Sequence, residues 1–157
     1  MDLQRLKANL ALRLFAWRYI PVIGFCAPVI EQMDARALRI RIPLGWRTRN
    51  HLGSMYFGAL ATGADLVGGL LVMEKGRARR KKVHFAFKDV QGEFLKRPEG
   101  DVQFDCAAGE LIDAMIDESL ASGQRINRPI QVVATCPSRN GDEAMARFVV
   151  TLSIKAS

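Results

Sequence analysis

Residues 50–65 of this 157-residue chain hold residue types that could carry out acyl-transfer chemistry. If the segment after residue 55 is a helix, four small or polar residues share one of its faces: Gly58, Thr62, Asp65 and Gly69. The other faces of this helix are apolar, so the carboxylate of Asp65 stands alone. A lone carboxylate on an apolar helix needs a partner, a set of hydrogen bonds or a solvent-filled pocket.

The start of the same helix supplies a second chemical feature. The first backbone N–H groups of a helix have no acceptor within it, and those near Tyr56 to Gly58 suit an oxyanion or a polarised carbonyl. A carbonyl held there lies within two helical turns of Asp65, which would serve as a base or nucleophile. The alternative for Asp65 is a structural carboxylate, hydrogen-bonded to a neighbouring strand or to a second subunit.

The polar loop before this helix contains Asn50 and His51. Asn50 either orients a water or a substrate oxygen, or caps the loop. His51 either packs within the loop, or acts as an acid, a base or a substrate-positioning group. The other histidine, His84, lies on the outer face of a strand. Two distant histidines and three scattered cysteines form no ligand cluster, so we expect no metal site.

The helix that carries Asp65 is expected over residues 55–75. Its apolar run, Met55 to Met73, is followed by basic residues, which imitates a transmembrane helix. An aspartate near the midpoint costs about 2.5–3.5 kcal/mol on membrane insertion, and the rest of the chain has the patterning of soluble strands. We therefore expect a central helix buried in a domain, and no transmembrane segment.

Five apolar residues recur at helical spacing near the N-terminus: Leu3, Leu6, Leu10, Leu14 and Trp17. They predict an amphipathic helix over residues 1–21, closed by Pro21. We expect this helix to dock on the domain's own sheet. The alternative is a helix that lies on a membrane surface.

Six segments have the alternation or β-branched content of strands: 26–32, 38–42, 83–88, 102–106, 130–134 and 148–154. A second amphipathic helix over 111–120 ends near Gly123, and Asn140-Gly141-Asp142 predicts a hairpin turn. Short links between consecutive strands imply an antiparallel sheet. The predicted fold class is α+β, with the sheet wrapped around the central helix in a single domain, residues 1–157.

The chain carries 23 Lys and Arg against 16 Asp and Glu, a formal charge of +7. Six bases lie between Lys75 and Lys82, whereas residues 101–118 hold six acids and no base. The basic run is either a solvated junction or an anion site for phosphates. It contains no aromatic residue for base stacking, which argues against nucleic acid as a partner. The three unclustered cysteines favour a reducing, cytoplasmic compartment.

The element order, together with Asn50-His51-x-Gly53 leading into Gly58-Ala59-Leu60 and Ala64-Asp65, resembles the hotdog-fold thioesterase superfamily. The chain is most similar to the branch of phenylacetyl-CoA-pathway thioesterases and related uncharacterised hotdog proteins. That branch has a His-Gly-Gly step at the start of the central helix and an acidic residue seven positions after the second glycine. Gly58 matches the second glycine and Asp65 the acid, while Tyr56 and Phe57 replace His-Gly.

The resemblance implies a hotdog fold and a thioesterase for acyl-CoA or acyl-carrier-protein substrates. It implies an active site between two subunits, in a homodimer or a dimer of dimers, with CoA present only as part of the substrate and no other cofactor. The implied catalytic residues are Asp65 as base or nucleophile, Gly58 and Phe57 through their N–H groups, and Asn50 and His51. The implied substrate-binding residues are Thr62, Tyr56, Arg77, Arg79, Arg80 and Lys82, the four bases for CoA phosphates.

Two other functions remain open at this point. One is a non-catalytic hotdog protein that binds acyl chains or lipids, in which Asp65 is structural and Phe57 blocks attack by water. The other is a nucleic-acid or membrane binder that uses the basic residues from Arg77 to Lys82.

Overall fold

The computed structural model of the protein describes residues 3–157, in which five helices and six strands are formed. The helices are α1 (Leu3–Tyr19), α2 (Pro21–Cys26), α3 (Phe57–Ala78), α4 (Gly109–Ser122) and α5 (Pro137–Asn140). The strands are β1 (Val29–Met33), β2 (Leu38–Ile42), β3 (Val83–Phe94), β4 (Val102–Cys106), β5 (Ile126–Thr135) and β6 (Ala144–Ala156).

The six strands form one antiparallel sheet in the order β1-β2-β4-β5-β6-β3. Their alternating apolar residues point to the face that carries α3, as the directly paired Ile40 and Phe104 show, both fully buried. The long helix therefore packs against one face of an antiparallel sheet. This confirms the predicted α+β fold class, an antiparallel sheet around a long central helix.

Helix α3 approaches the sheet closely because glycines replace larger side chains on its inner face. A Cβ atom at Gly63 would lie 2.4 Å from the Phe104 ring, and one at Gly68 would lie 2.9 Å from Ile130. α3 is the one helix among the described residues long and apolar enough to cross a membrane, and 56% of its most apolar window is buried within the domain. That burial is typical of a core helix.

The first strand begins later than the sequence predicts. Pro21 begins the short helix α2, which ends at Cys26, so the expected strand over 26–32 is Val29–Met33 instead. Ala27 then adopts a left-handed conformation, with φ of 51°, that ends the helix. The alternating pattern that predicted a strand from residue 26 covers too few residues to exclude a short helix that ends at Cys26.

The docking face predicted for the N-terminal helix is wrong. α1 packs on the domain through Leu12 and Ala16, while the predicted face of Leu3, Leu6, Leu10, Leu14 and Trp17 is exposed. The Asn9 amide fixes this orientation. Its Oδ1 accepts from the Ile30 N–H at 2.7 Å, and its Nδ2 donates to the Ile30 carbonyl at 3.0 Å. Residues 1 and 2 of the predicted 1–21 helix lie outside the described residues.

Three strands extend further than the sequence predicts, and one of them is β6, which spans Ala144–Ala156 instead of 148–154. β3 continues to Phe94, with a register shift between Phe87 and Asp89. β5 begins at Ile126 and contains Pro129, at a point where β6 is its only neighbouring strand. The expected hairpin turn contains the short helix α5 before Gly141, whose φ is 57°.

Candidate active site

The loop before α3 fixes the start of that helix on the sheet. The Tyr56 N–H donates to the Thr48 carbonyl at 2.8 Å, and the Met55 N–H donates to the Pro98 carbonyl at 2.9 Å. The hydroxyl of Thr48 is itself buried and donates to the Pro43 carbonyl at 2.6 Å. The first turn of α3 is therefore held by backbone contacts on both sides.

The first N–H groups of α3 have no acceptor. Tyr56 occupies the N-cap position with extended backbone and makes no side-chain cap, and its carbonyl accepts from Ala59 and Leu60. The N–H groups of Phe57 and Gly58 have no partner among the residues that the structure describes. Two adjacent unpaired donors at a helix N-terminus form a site suited to a developing negative charge on oxygen.

The aromatic rings beside these donors are arranged differently from each other. The Tyr56 ring lies over Gly58, where an added Cβ would meet it at 2.3 Å. The Phe57 ring turns towards the end of β3 and makes an edge contact with Phe94, which in turn makes one with Phe148. Tyr56 and Phe57 are both exposed. Tyr56, rather than Phe57, therefore covers the Gly58 donor.

Asp65 lies two turns along α3 from Gly58, on the same face. Its side chain is accessible to water in the single chain, and it forms no hydrogen bond or ion pair with any described residue. Partial desolvation by the surrounding protein raises the pKa of its carboxyl above the ordinary value. Asp65 is thus both accessible and closely surrounded, and no strand of its own chain bonds to it.

Thr62, one turn before Asp65, links the site face to α2. Its hydroxyl donates to the Gly58 carbonyl at 2.8 Å and is within hydrogen-bonding reach of the Cys26 thiol. Burial raises the pKa of Cys26, and this contact and the charge of Arg47 oppose the increase. The hydroxyl of Thr62 is therefore directed along the helix and towards α2.

Asn50 organises the loop before α3. Its side-chain oxygen accepts from the N–H groups of Leu52 and Ser54 at 2.9 and 3.2 Å, and its amide donates to the Ser54 hydroxyl at 3.1 Å. His51, next to it, is exposed, and no hydrogen bond joins it to Asp65 in the part of the chain described. The loop-capping role that the sequence left open for Asn50 is the one with contacts in this structure.

The four basic candidates for phosphate binding lie at the other end of α3. The Arg77 guanidinium donates to both Glu74 carboxylate oxygens, at 3.0 and 2.8 Å. Arg79 donates to the Asp113 carbonyl at 3.0 Å and to the Asp117 carboxylate. Arg80 and Lys82 are exposed and form no ion pair with described residues. Two of the four charges are therefore already balanced within the chain.

The acidic residues of segment 101–118 neutralise basic side chains in several parts of the chain, and one of these is Arg79. Each of the segment's six acids pairs with a base elsewhere: Asp101 with Arg41, Asp105 with Arg39, Glu110 with Arg36, Asp113 with Lys75, Asp117 with Arg79 and Glu118 with Arg128. The basic run and the acidic segment, separate in the sequence, meet where the end of α3 packs on α4.

Asp65 lies on the open surface of the single chain. Two surface cavities, of ≈ 550 and ≈ 410 Å³, are lined by residues around Asp101 and around Gly92 respectively, and neither includes Asp65 or the start of α3. Within residues 3–157, no group of three or more His, Cys, Asp or Glu side chains is arranged to hold a metal ion. The structure brings Gly58, Thr62 and Asp65 onto one face of α3, and it leaves the four bases at the other end of that helix.

Sequence reasoning missed Phe94 and Arg47 as neighbours of the site. Phe94 was missed because the predicted third strand stopped at residue 88, six residues before the ring that contacts Phe57. Arg47 was missed because its approach to Cys26 depends on how the loop packs on α2. The aromatic at residue 94 after the alternating run was a signal for a longer strand, whereas no local pattern indicates the Arg47 contact.

One family profile, described as a domain of unknown function (DUF4442), matches residues 9–154. The chain belongs to this family. Among solved structures, the DUF4442 chain is similar to a protein of unknown function from Chlorobaculum tepidum TLS, with 15% identity over 96% of each chain and a TM-score of 0.82. It is also similar to a Pseudomonas aeruginosa protein described as a probable thioesterase, with 21% identity over 96% of each chain and a TM-score of 0.79.

A third similar structure comes from Shewanella oneidensis and carries a provisional thioesterase name, with 16% identity, a TM-score of 0.78 and coverage of 95% of this chain and 98% of that one. A search of curated proteins found no match to the DUF4442 chain. The likeness to these solved structures establishes the fold, and it confirms the predicted hotdog fold.

Proposed function

We propose that this DUF4442 protein hydrolyses acyl thioesters, either acyl-CoA or acyl-carrier-protein substrates. The observation that carries the proposal is found on one helix: two N–H donors and a carboxylate with a raised pKa, none of which has a partner among the described residues. Similar structures from Pseudomonas aeruginosa and Shewanella oneidensis bear thioesterase names, which supports the same reaction class. CoA enters as part of the substrate, and the proposed reaction uses no other cofactor.

In the proposed reaction, the thioester carbonyl oxygen accepts hydrogen bonds from the N–H groups of Phe57 and Gly58. Asp65 removes a proton from water as the water oxygen attacks the carbonyl carbon, and the N–H groups stabilise the resulting oxyanion. The C–S bond then breaks, and the thiolate leaves and takes up a proton. Direct attack by Asp65, with a covalent acyl intermediate, is the alternative that the same residues allow.

The helix geometry favours a site shared between two copies of the chain. Seven residues separate Gly58 from Asp65, a rise of about 10 Å along one helix. A reacting carboxylate must approach within about 3–3.5 Å of its target atom. Because Asp65 acts through a water, the carboxylate and the carbonyl carbon can lie no more than about two such contacts apart. A carbonyl bound at one Gly58 is thus better served by the Asp65 of a second subunit.

The two edges of the sheet support a homodimer formed through β3. The β1 edge is blocked, because Asn9 bonds to both backbone groups of Ile30 and Arg5 donates to the Glu31 carbonyl. No strand within residues 3–157 pairs with the outer edge of β3, and its apolar residues Val90 and Phe94 are 60% and 51% exposed. A long apolar edge strand is a template for pairing with another chain. A homodimer, or a dimer of dimers, is part of the proposal.

The remaining parts of the proposal concern the outer contacts of the substrate. Tyr56 and Thr62 line the face between the oxyanion site and Asp65. Asn50 and His51 shape the loop beside this face.

The basic residues would attract the phosphates of CoA. Arg80 and Lys82 are exposed, so they are better placed for this than Arg77 and Arg79, which are ion-paired. All three cysteines are buried and unpaired, which fits the cytoplasm that we propose as its compartment.

A non-catalytic protein that binds acyl chains is the second candidate, and one observation favours it. The Tyr56 ring lies over Gly58, where it hinders access of a carbonyl to that donor. In this alternative, the face of α3 that carries Asp65 holds an acyl chain, and no water attacks a thioester there. Stabilisation of the protein by acyl-CoA without release of free CoA would support this second function.

The test measures hydrolysis of a panel of aliphatic and aromatic acyl-CoA and acyl-carrier-protein thioesters. Hydrolysis is detected as release of free thiol. Asp65→Asn should lower turnover by about 10²-fold or more, because a positioned general base contributes 10²–10⁴-fold. Asp142→Asn is the matched control, since Asp142 is exposed in the turn before β6 and has no partner among described residues. Circular dichroism checks that Asp65→Asn and the wild-type protein are both folded. Equal turnover by the two would then contradict the proposal.

A further inference from the structure

The outer face of α1 is an exposed apolar stripe. Its five side chains are between 49% and 66% exposed: Leu3, Leu6, Leu10, Leu14 and Trp17. The opposite side of the helix already packs on the domain through Leu12 and Ala16. The stripe is therefore not part of the core, and several adjacent exposed leucines on one helix are unusual for a surface in contact with water alone.

Positive charge flanks this stripe on both sides. Arg13 projects along one side of it, and Lys7 and Arg18 along the other. None of the three forms an ion pair within the described residues. The chain contains no acid from Leu3 to Ile30, and every acid of the 101–118 segment pairs with a base elsewhere. The α1 surface is therefore both apolar and uncompensated in charge.

Exposed aromatic residues continue this surface towards α2. Trp17 packs across Gly24, where an added Cβ would lie 2.9 Å from its indole. Phe25, the next residue, makes an edge contact with Trp46 at 5.7 Å between ring centroids, and the Arg47 guanidinium lies over both rings. Trp46 is 74% exposed. Tryptophan beside basic residues is typical of the boundary between water and lipid.

We propose that α1 lies on the surface of a lipid bilayer that contains anionic lipids, with its leucine stripe inserted below the headgroups. A helix with one apolar stripe, basic flanks and an interfacial tryptophan combines burial of apolar side chains with attraction to acidic headgroups. A second copy of the chain fits less well, because the same stripe on that copy brings further Lys and Arg and no acid. The β3 edge proposed for dimerisation is at the other end of the sheet.

The binding test uses the whole protein with vesicles of phosphatidylcholine, with and without phosphatidylglycerol, in a flotation assay. Trp17 and Trp46 are the two tryptophans of the chain, so Trp46→Phe leaves Trp17 as the sole reporter. We expect flotation with the anionic vesicles, a decrease in binding as salt increases, and quenching of Trp17 emission by brominated lipid. No flotation and no quenching with either vesicle would overturn the proposal.

Substitutions separate the stripe and its flanks from the basic run. Leu10→Glu should weaken vesicle binding by about tenfold or more, whereas Leu111→Glu, at an exposed position of α4, should leave it unchanged. Arg13→Gln and Arg18→Gln should each weaken it by about fivefold, and Arg80→Gln with Lys82→Gln should not. Loss of binding only in the Arg80 and Lys82 variants would overturn the assignment to α1. The proposal would also be overturned if the wild-type protein did not bind vesicles and Leu10→Glu dissociated an oligomer.

Discussion

Asp65 is the side chain on which the proposed chemistry depends, and its surroundings set how that chemistry responds to pH. The carboxylate is accessible and has no partner among described residues, so neither a cation nor an N–H group stabilises its charged form. The surrounding protein removes part of its hydration, which raises its pKa. A carboxyl with this environment is a stronger base than an ordinary surface aspartate.

The raised pKa predicts the acid side of the pH profile. Only the ionised form of Asp65 accepts a proton, so kcat/KM should fall as pH decreases through its pKa in the free enzyme. Because burial raises that pKa, the fall should begin above the value of about 3.9 for an unperturbed aspartate. The measurement is kcat/KM for the best thioester across the acid range. An acid limb at or below about 3.9 would contradict this role.

The same shift links Asp65 to stability, and thermal unfolding provides a control for folding. A carboxyl whose pKa is higher in the folded than in the unfolded state destabilises the fold where it is ionised in both, and the effect disappears once it is protonated in both. The unfolding temperature of Asp65→Asn should therefore not lie below that of wild type at neutral pH. Lost turnover in a variant that is at least as stable cannot arise from unfolding.

At the scale of elements, the close packing of α3 on β4 is the contact that fixes the site face. Gly63 faces Phe104, which is fully buried between α3 and its neighbouring strands. A methyl group at Gly63 would lie 2.4–2.5 Å from three atoms of that ring, and a buried ring has little space into which to move.

Gly63→Ala should destabilise the protein by about 1–3 kcal/mol, the usual cost of overpacking a core. Gly45→Ala is the matched control, because no atom lies within 4 Å of an added Cβ there and its backbone needs no positive φ. Its effect should stay within about 0.5 kcal/mol. Denaturant unfolding with circular dichroism measures both free energies of unfolding. Equal stability of the two variants would show that α3 shifts away from β4 without cost.

Local patterns predicted the elements better than their contacts. Alternation placed β2 and β4 correctly, because Ile40 and Phe104 each belong to a strand with one buried face. The same reasoning failed for α1, which has two apolar faces, one of leucines and one that contains Leu12 and Ala16. Hydrophobicity alone favours the leucine face, but contacts with β1 through Asn9 decide which face packs inward. Such contacts join residues far apart in the sequence and leave no local pattern.

In the candidate site, too, the sequence predicts the position of residues on the helix but not their contacts with other elements. The seven-residue spacing from Gly58 to Asp65 places both on one helix face, as the sequence predicts. The cover on Gly58 by Tyr56, and the contact of Phe57 with Phe94, depend on rotamers and on the length of β3. The ion pair that neutralises Arg79 could not be read from the basic run, because Asp117 comes from a different helix. Arg77 instead pairs with Glu74, three residues before it on α3.

At the scale of the whole molecule, the proposed homodimer would account for both the open site face and the exposed β3 edge. Asp65 is exposed in the single chain, and neither surface cavity described above includes it. Val90 and Phe94, on the unpaired edge, are also exposed. A twofold dimer would bury the β3 edge and could bring the Asp65 of one copy to the oxyanion site of the other.

A mixing experiment tests whether the site is shared between subunits. Asp65→Asn lacks the base and Gly58→Val obstructs the N–H donors, so each variant alone should be inactive. In a mixed dimer with a shared site, one site combines the intact Gly58 of the first chain with the intact Asp65 of the second. Random exchange of equal amounts should then restore about a quarter of wild-type turnover, since half the dimers are mixed and each has one intact site of two.

If each site belongs to one chain, no mixed dimer contains an intact site and turnover should stay at the level of the separate variants. Exchange itself is checked by mass measurement of tagged and untagged copies under the same conditions. Recovery of turnover together with exchange would place Asp65 opposite the Gly58 of its partner. Exchange without recovery would restrict Asp65 to its own chain and contradict the shared site.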